Sequence, residues 1–310
     1  MSYTGPEFDP PQQRRFRRAP LAVGLAALVP GALLGWVVYE GVGKPGGSTG
    51  GSGAGQAAAV TPKSAAAAPG DDAKVPGASP SPSAARPLQG KVVVIDPGHN
   101  PGNFQHTSEI NQQVDIGTNW KECDTTGTST NAGYTEARFT LDVAHRLRAL
   151  LEKQGATVKM THDGDRPAWG PCVTERAEIG NAAHADAAIS IHADGAPEGD
   201  RGFHVILPAS VHSGAADTRP ILDSSRALGE HIESDFAKVT GSAPSNYVGN
   251  GTGLDVRKDL GGLNLSTVPK VFIECGNMRD SKDAALLTSG AWRQKAAQGM
   301  FEGIVSFLRG

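Results

Sequence analysis

The chain has 310 residues, 38% hydrophobic and 20% charged, with a formal net charge of -3 at pH 7. That length suits one or two domains, and so small a net charge gives no broad basic field of the kind nucleic acid selects, so no nucleic-acid partner is expected. Much of the excess in the 40 glycines and 21 prolines lies before residue 90, so the part that folds is shorter than the chain.

Residues 12–18, QQRRFRR, close a basic segment (1–18) and lead into an uncharged apolar run from Ala19 to Tyr39. A helix over 19–39 is long enough to cross a hydrocarbon core of about 30 Å. Arginines before the run and none close behind it place the N-terminus in the cytoplasm and the rest of the chain outside. The run is read as a transmembrane anchor, with Trp36 and Tyr39 at the far interface; a cleaved signal segment is the competing reading. Residues 40–88 are dominated by Gly, Ala, Pro and Ser and read as a flexible tether, too poor in apolar surface to offset the entropy of ordering.

One globular domain is then expected over 89–310, large enough for a good core. Cys123 and Cys172 lie in loop-like sequence, and in an exported domain they are expected to pair. Cys275, after the apolar VFIE, reads as a buried thiol. In chain order, KVVVID reads as a strand buried on both faces, and a long polar loop follows over 100–133. TEARFTLDVAHRLRALLEKQG reads as a helix with Thr135 as cap, Phe139, Val143, Leu147 and Leu150 or Leu151 as its apolar stripe, and Gly155 as its stop. ATVKMTH is a second strand. PCVTERAEIGNAAHA is a helix with Arg176 on its polar side and Ile179 and Ala183 inward. DAAISIHAD and GFHVILPA are strands, SSRALGEHIESDFAKVTG a helix, and Leu254–Val256 a short strand. The glycine-rich stretch around it is expected to line a groove, with Leu263 and Asn264 as candidates near substrate. KVFIECG and a C-terminal helix finish the pattern. Strands alternating with helices imply an α/β fold: a twisted, mostly parallel central sheet with helices on both faces.

In such sheets functional groups gather beyond the carboxyl ends of the strands. Three strand ends carry chemistry here: His99 after VVVID, His192 after AAISI and Glu274 after VFI. Glu136 opens the first helix. Two histidines and one carboxylate, with a second carboxylate free, make the composition of a catalytic zinc site with one position left for water. Asp96 either orients the His99 ring or stabilises the turn. His162 and His204, near strand ends, and His106, in the polar loop, are read as structural, with a place at the rim of the site (for His106, near a ligand) as the alternative.

The segments DPGHNPGN, NAGYTEARFTLDVAHRL, AAISIHADG and VPKVFIECGNM occur in this order. Together they resemble the zinc-dependent N-acetylmuramoyl-L-alanine amidases, a peptidoglycan amidase family, over essentially all of 90–308, and the single tethered domain is similar to the compact actinobacterial members. The resemblance implies that His99, Glu136 and His192 hold one Zn2+ and that Glu274 is the catalytic carboxylate. It implies attack by zinc-bound water on the amide joining N-acetylmuramic acid to L-alanine, with Glu274 shuttling the proton, in a cell-envelope enzyme of wall remodelling or cell separation. GHNPGN stands where the family typically has GHGG, and FIECGNM lacks the usual aromatic after the glycine, but neither change removes a ligand or the base. The expected partners are peptidoglycan or its muropeptides and, through the N-terminal segment, a membrane; nothing points to an obligate oligomer, so a monomer is expected. A non-catalytic wall-binding protein and a zinc peptidase acting within the stem peptide are the rival readings.

Overall fold

The computed structural model describes residues 86–164 and 166–310. The expected basic segment, the apolar run and nearly all of the tether lie outside the described residues. Among the described residues, no helix is long and apolar enough to cross a membrane. Packing already includes the expected end of the tether: Leu88 is fully buried, and its amide donates to the Gln154 carbonyl at 3.0 Å.

Strand β1 (Val92–Pro97) leads into the polar loop, which is more ordered than its composition suggested. The loop contains a helical turn, α1 (Thr107–Ile110), and a hairpin of β2 (Gln113–Asp115) and β3 (Trp120–Glu122). Next come α2 (Glu136–Lys153), β4 (Thr157–Met160), α3 (Val173–Ala182), β5 (Ala187–Asp194) and β6 (His204–Pro208). A small hairpin, β7 (His212–Ser213) with β8 (Ala216–Asp217), precedes α4 (Leu222–Thr240) and β9 (Leu254–Arg257). The chain continues through α5 (Gly261–Asn264), β10 (Lys270–Asn277), α6 (Ser281–Leu287) and α7 (Gly290–Arg309). The expected strands and long helices all form. Helix α6 and the β2–β3 hairpin were not expected.

Six strands make one sheet in the order β4-β1-β5-β10-β6-β9. The first four are parallel to one another, so the carboxyl ends of β1, β5 and β10 open side by side on one rim. β6 runs antiparallel to β10, and β9 follows β6. A parallel crossover needs a dozen or more residues, usually including a helix. The short link over 195–203 has no helix, and β6 returns antiparallel.

Alternate residues of the strands face opposite layers. Val93, Ile95, Ile189, Ile191, Val271 and Ile273 join the main core with buried residues of α2, α4 and α7. The expected stripe of α2 is buried at Phe139, Val143, Leu147 and Leu151. Thr135 occupies the position before the helix but makes no side-chain cap, and Gly155, with φ +95°, follows its end. The other face is covered by α3 and α5 with much smaller apolar clusters. On this face Asp96, Ser190 and Lys270 are almost fully buried.

Arg176 corrects the sequence reading. It is buried rather than on a polar face, because Asp96 and Asp124 accept from its two terminal nitrogens at 2.8 and 2.9 Å. Cys123 and Cys172 form the expected disulfide, and Cys275 is a buried free thiol.

Candidate active site

The turn after β1 is shaped by its crowding. A Cβ on Gly98 would fall 1.9 Å from the His192 ring, so only glycine lets β1 end this close to β5. Gly127, with φ +71°, lies under the same cluster: a Cβ there would be 2.5 Å from His99 Cδ2 and 2.7 Å from Glu136 Oε2. These two glycines leave room for three polar side chains to meet.

His192 leaves β5 on the same face as Ser190 and stacks on Phe272 of β10, with ring centroids 5.3 Å apart. The His99 ring stands edge-on to it at 5.0 Å. Glu136 reaches in from the first residue of α2. Its Oε1 lies 2.9 Å from His192 Nδ1, and its Oε2 lies 3.5 Å from His99 Nε2. Backbone amides of Thr128 and Ala193 donate to Oε2 and Oε1 at 2.9 and 3.3 Å. One donor atom from each of His99, Glu136 and His192 falls within 4.8 Å of the others, so this trio can hold a metal ion.

Glu274 is the in-register neighbour of His192, and it shares a cleft of about 230 Å³ with His99, Glu136 and His192. The structure thus brings all four sequence-predicted side chains together. Their electrostatics separate the two carboxylates. Burial opposes the charge of Glu136, but the His99 and His192 rings outweigh it and hold its carboxyl well below the usual range. Burial, reinforced by the negative charges of Glu136 and Asp194, holds the Glu274 carboxyl well above that range. One group is a fixed anion and the other is ready to carry a proton, the division expected of a ligand and a general acid–base.

Asp96 does not orient His99. That position belongs to Asp124, whose Oδ1 lies 3.0 Å from His99 Nδ1 and leaves Nε2 facing Glu136. Asp124 is in turn gripped by Arg176, Arg176 by Asp96, and Asp96 by Lys270 Nζ at 3.1 Å. Asp96 therefore acts two links back, where it also accepts from Thr161 and Ser190. The disulfide brackets this chain of charges. Cys123 precedes Asp124, and Cys172 immediately precedes the helix that carries Arg176.

Leu263 and Asn264 do not reach the site; both are fully buried. Asn264 Nδ2 donates to the carbonyls of Ile116 and Lys258 at 3.1 and 2.9 Å, fastening the polar loop to the segment before α5. Leu260, three residues earlier, lines the cleft instead. His162 lies behind the DPGH turn with Nε2 2.7 Å from the Pro97 carbonyl, and His106 packs near Trp169; neither lines the cleft. Asp124 and Lys270 drew no role from the sequence, and Arg176 only a place on the polar side of its helix. Polar residues in otherwise apolar strands (the Asp of VVVID, the Ser of AAISI, the Lys of KVFIE) are the unused signal of a buried ionic face.

A family model described as N-acetylmuramoyl-L-alanine amidase matches residues 93–306. The N-acetylmuramoyl-L-alanine amidase Rv3717 of Mycobacterium tuberculosis is 40% identical over 222 residues, spanning 71% of this chain and 88% of that protein. The crystal structure of the amidase Ami1 from Mycobacterium smegmatis aligns with a TM-score of 0.64 at 40% identity, covering 71% of this chain and 98% of that one. Ami1 from Mycobacterium abscessus aligns with a TM-score of 0.63 at 40% identity, covering 71% of this chain and all (100%) of that one.

Proposed function

The chain belongs to the N-acetylmuramoyl-L-alanine amidase family, and from that premise we propose that it is a zinc-dependent hydrolase acting in wall remodelling and cell separation. Its substrate is the amide between N-acetylmuramic acid and the first L-alanine of the peptidoglycan stem. One observation carries the reading: His99, Glu136 and His192 converge within 4.8 Å in a cleft they share with Glu274.

The residues fit the metal. Two imidazoles and one carboxylate are a donor set for catalytic zinc that leaves a coordination position open. Asp124 fixes the His99 ring from behind, as an orienting carboxylate does for a metal-bound histidine. Zinc held there supplies a Lewis acid and brings the pKa of water near neutrality. The remaining work falls to the chain itself. Glu136 and the two rings stay fixed by backbone amides, by Phe272 and by Asp124. Glu274 takes the proton of the attacking water and delivers it to the alanine nitrogen as the C–N bond breaks.

In this reading residues 1–18 form a basic cytoplasmic segment, 19–39 an anchor or signal segment and 40–88 a tether whose last residue, Leu88, packs into the domain. Residues 89–310 are the catalytic domain, held outside the membrane where peptidoglycan lies. The test is the full chain on purified muropeptides, with product masses recorded before and after metal chelation. The expected products are stem peptides beginning with free L-alanine and glycan without peptide. Turnover is expected to vanish on chelation and to return with added zinc. Cleavage inside the stem peptide, absence of turnover, or turnover that survives complete metal removal would overturn the reading.

A further inference from the structure

Four buried side-chain polar atoms among the described residues have no hydrogen-bond partner: His204 Nδ1, Glu274 Oε2, Asn264 Oδ1 and Trp292 Nε1. Buried polar groups are paired in the great majority of cases, so each exception asks for a reason. Two of these four belong together. β6 runs antiparallel to β10 with His204 directly opposite Glu274. Opposed residues of an antiparallel pair point to the same face with Cβ atoms about 4.5–5.5 Å apart. Glu274 therefore sits between two histidines in register, His192 on β5 and His204 on β6.

In this structure neither His204 Nδ1 nor Glu274 Oε2 has a partner; we propose that His204 is a positioning residue for Glu274, its ring N–H pairing with Glu274 Oε2 when substrate fills the cleft and leaving the other carboxylate oxygen to exchange the proton with water and leaving amine. This rests on the amidase reading above. The surroundings of the ring support it. His204 is 3% exposed, and burial pushes its pKa down, so it is a neutral imidazole with a single N–H. Tyr247 stands edge-on to it at 5.9 Å and is itself tied by its hydroxyl to Asp194 Oδ2 at 2.8 Å. The ring is thus walled in beside the carboxylate. A carboxylate that must accept and then return one proton works best when one oxygen is held and the other is free, since geometry precedes acidity in such transfers.

The experiment compares zinc-loaded full-length wild type with His204→Leu, His204→Asn and His204→Gln, measuring kcat, KM and bound zinc on one muropeptide. Leucine keeps bulk without a donor, asparagine restores a donor near the Nδ1 position, and glutamine places its amide farther out. His204→Leu is expected to lower kcat about 10–100-fold, the range typical of lost orienting partners, with KM and zinc content unchanged. His204→Asn is expected to recover most of the loss and His204→Gln little of it. If the leucine variant does not fold, the asparagine–glutamine contrast decides alone. The proposal fails if His204→Leu keeps wild-type kcat, if the loss lies in KM or zinc content, or if asparagine and glutamine behave alike. An inactive wild type would instead reject the amidase reading.

Discussion

The two faces of the central sheet are built from alternate residues of the same strands, yet they do different work. In β10, Val271 and Ile273 enter the main core under the long helices, whereas Lys270 and Glu274 lie on the face with Asp96, His192 and Arg176. The first face needs only apolar volume, and each aliphatic side chain fully removed from water there stabilises the fold by about 1.5–3 kcal/mol. The second face is held by ion pairs between side chains at most 5% exposed. Buried pairs of this kind gain little over apolar residues of the same volume, because desolvation offsets their attraction. What the ionic face adds is direction. Asp124 turns His99, Arg176 and Asp96 brace Asp124, and Phe272 seats His192.

Substitutions on the two faces should therefore separate function from stability. Glu274→Gln should produce the largest effect, a drop in kcat of about 10²–10⁴-fold, as for loss of a general acid–base. Its thermal midpoint should be no lower than wild type, because a carboxyl that burial and neighbouring anions disfavour has been replaced by a neutral amide. Unchanged turnover would show that another group carries the proton. Ile232→Ala, in α4 and fully buried, should do the reverse. It should destabilise the domain by about 2–5 kcal/mol in denaturant melts while kcat below the transition stays near wild type; a large loss of kcat would erase the contrast. Asp124→Asn should be the smallest and the most mixed. Apparent zinc affinity, read by competition with a chromophoric chelator, should weaken about 10–100-fold, together with a modest loss of stability from the Arg176 partner left behind. Unaltered affinity would leave the ionic face without its orienting role.

Much of the fold was readable in the chain because it rests on local rules. Apolar runs of VVVID, AAISI and VFIE type mark buried strands, and the stripe from Phe139 to Leu151 marks a helix. The candidate site residues were readable because each closes or opens such an element, so parallel strands bring His99, His192 and Glu274 to one rim. Elements without a periodic signal, such as α6 and the β2–β3 hairpin, were not readable. Leu263 and Asn264 were misplaced because a glycine-rich stretch looks like an open loop until its backbone is seen to turn α5 inward.

Sequence by itself determined the α/β alternation, the strand-end histidines and carboxylates, and the cysteines available to pair, since all of these follow from residue type and short-range spacing. Tertiary structure alone decided that Asp124 rather than Asp96 faces His99, that Arg176 is inside, and that His204 stands opposite Glu274. Those relations join residues far apart in the chain. They depend on strand order, register and the packing of α3, which short-range pattern does not encode.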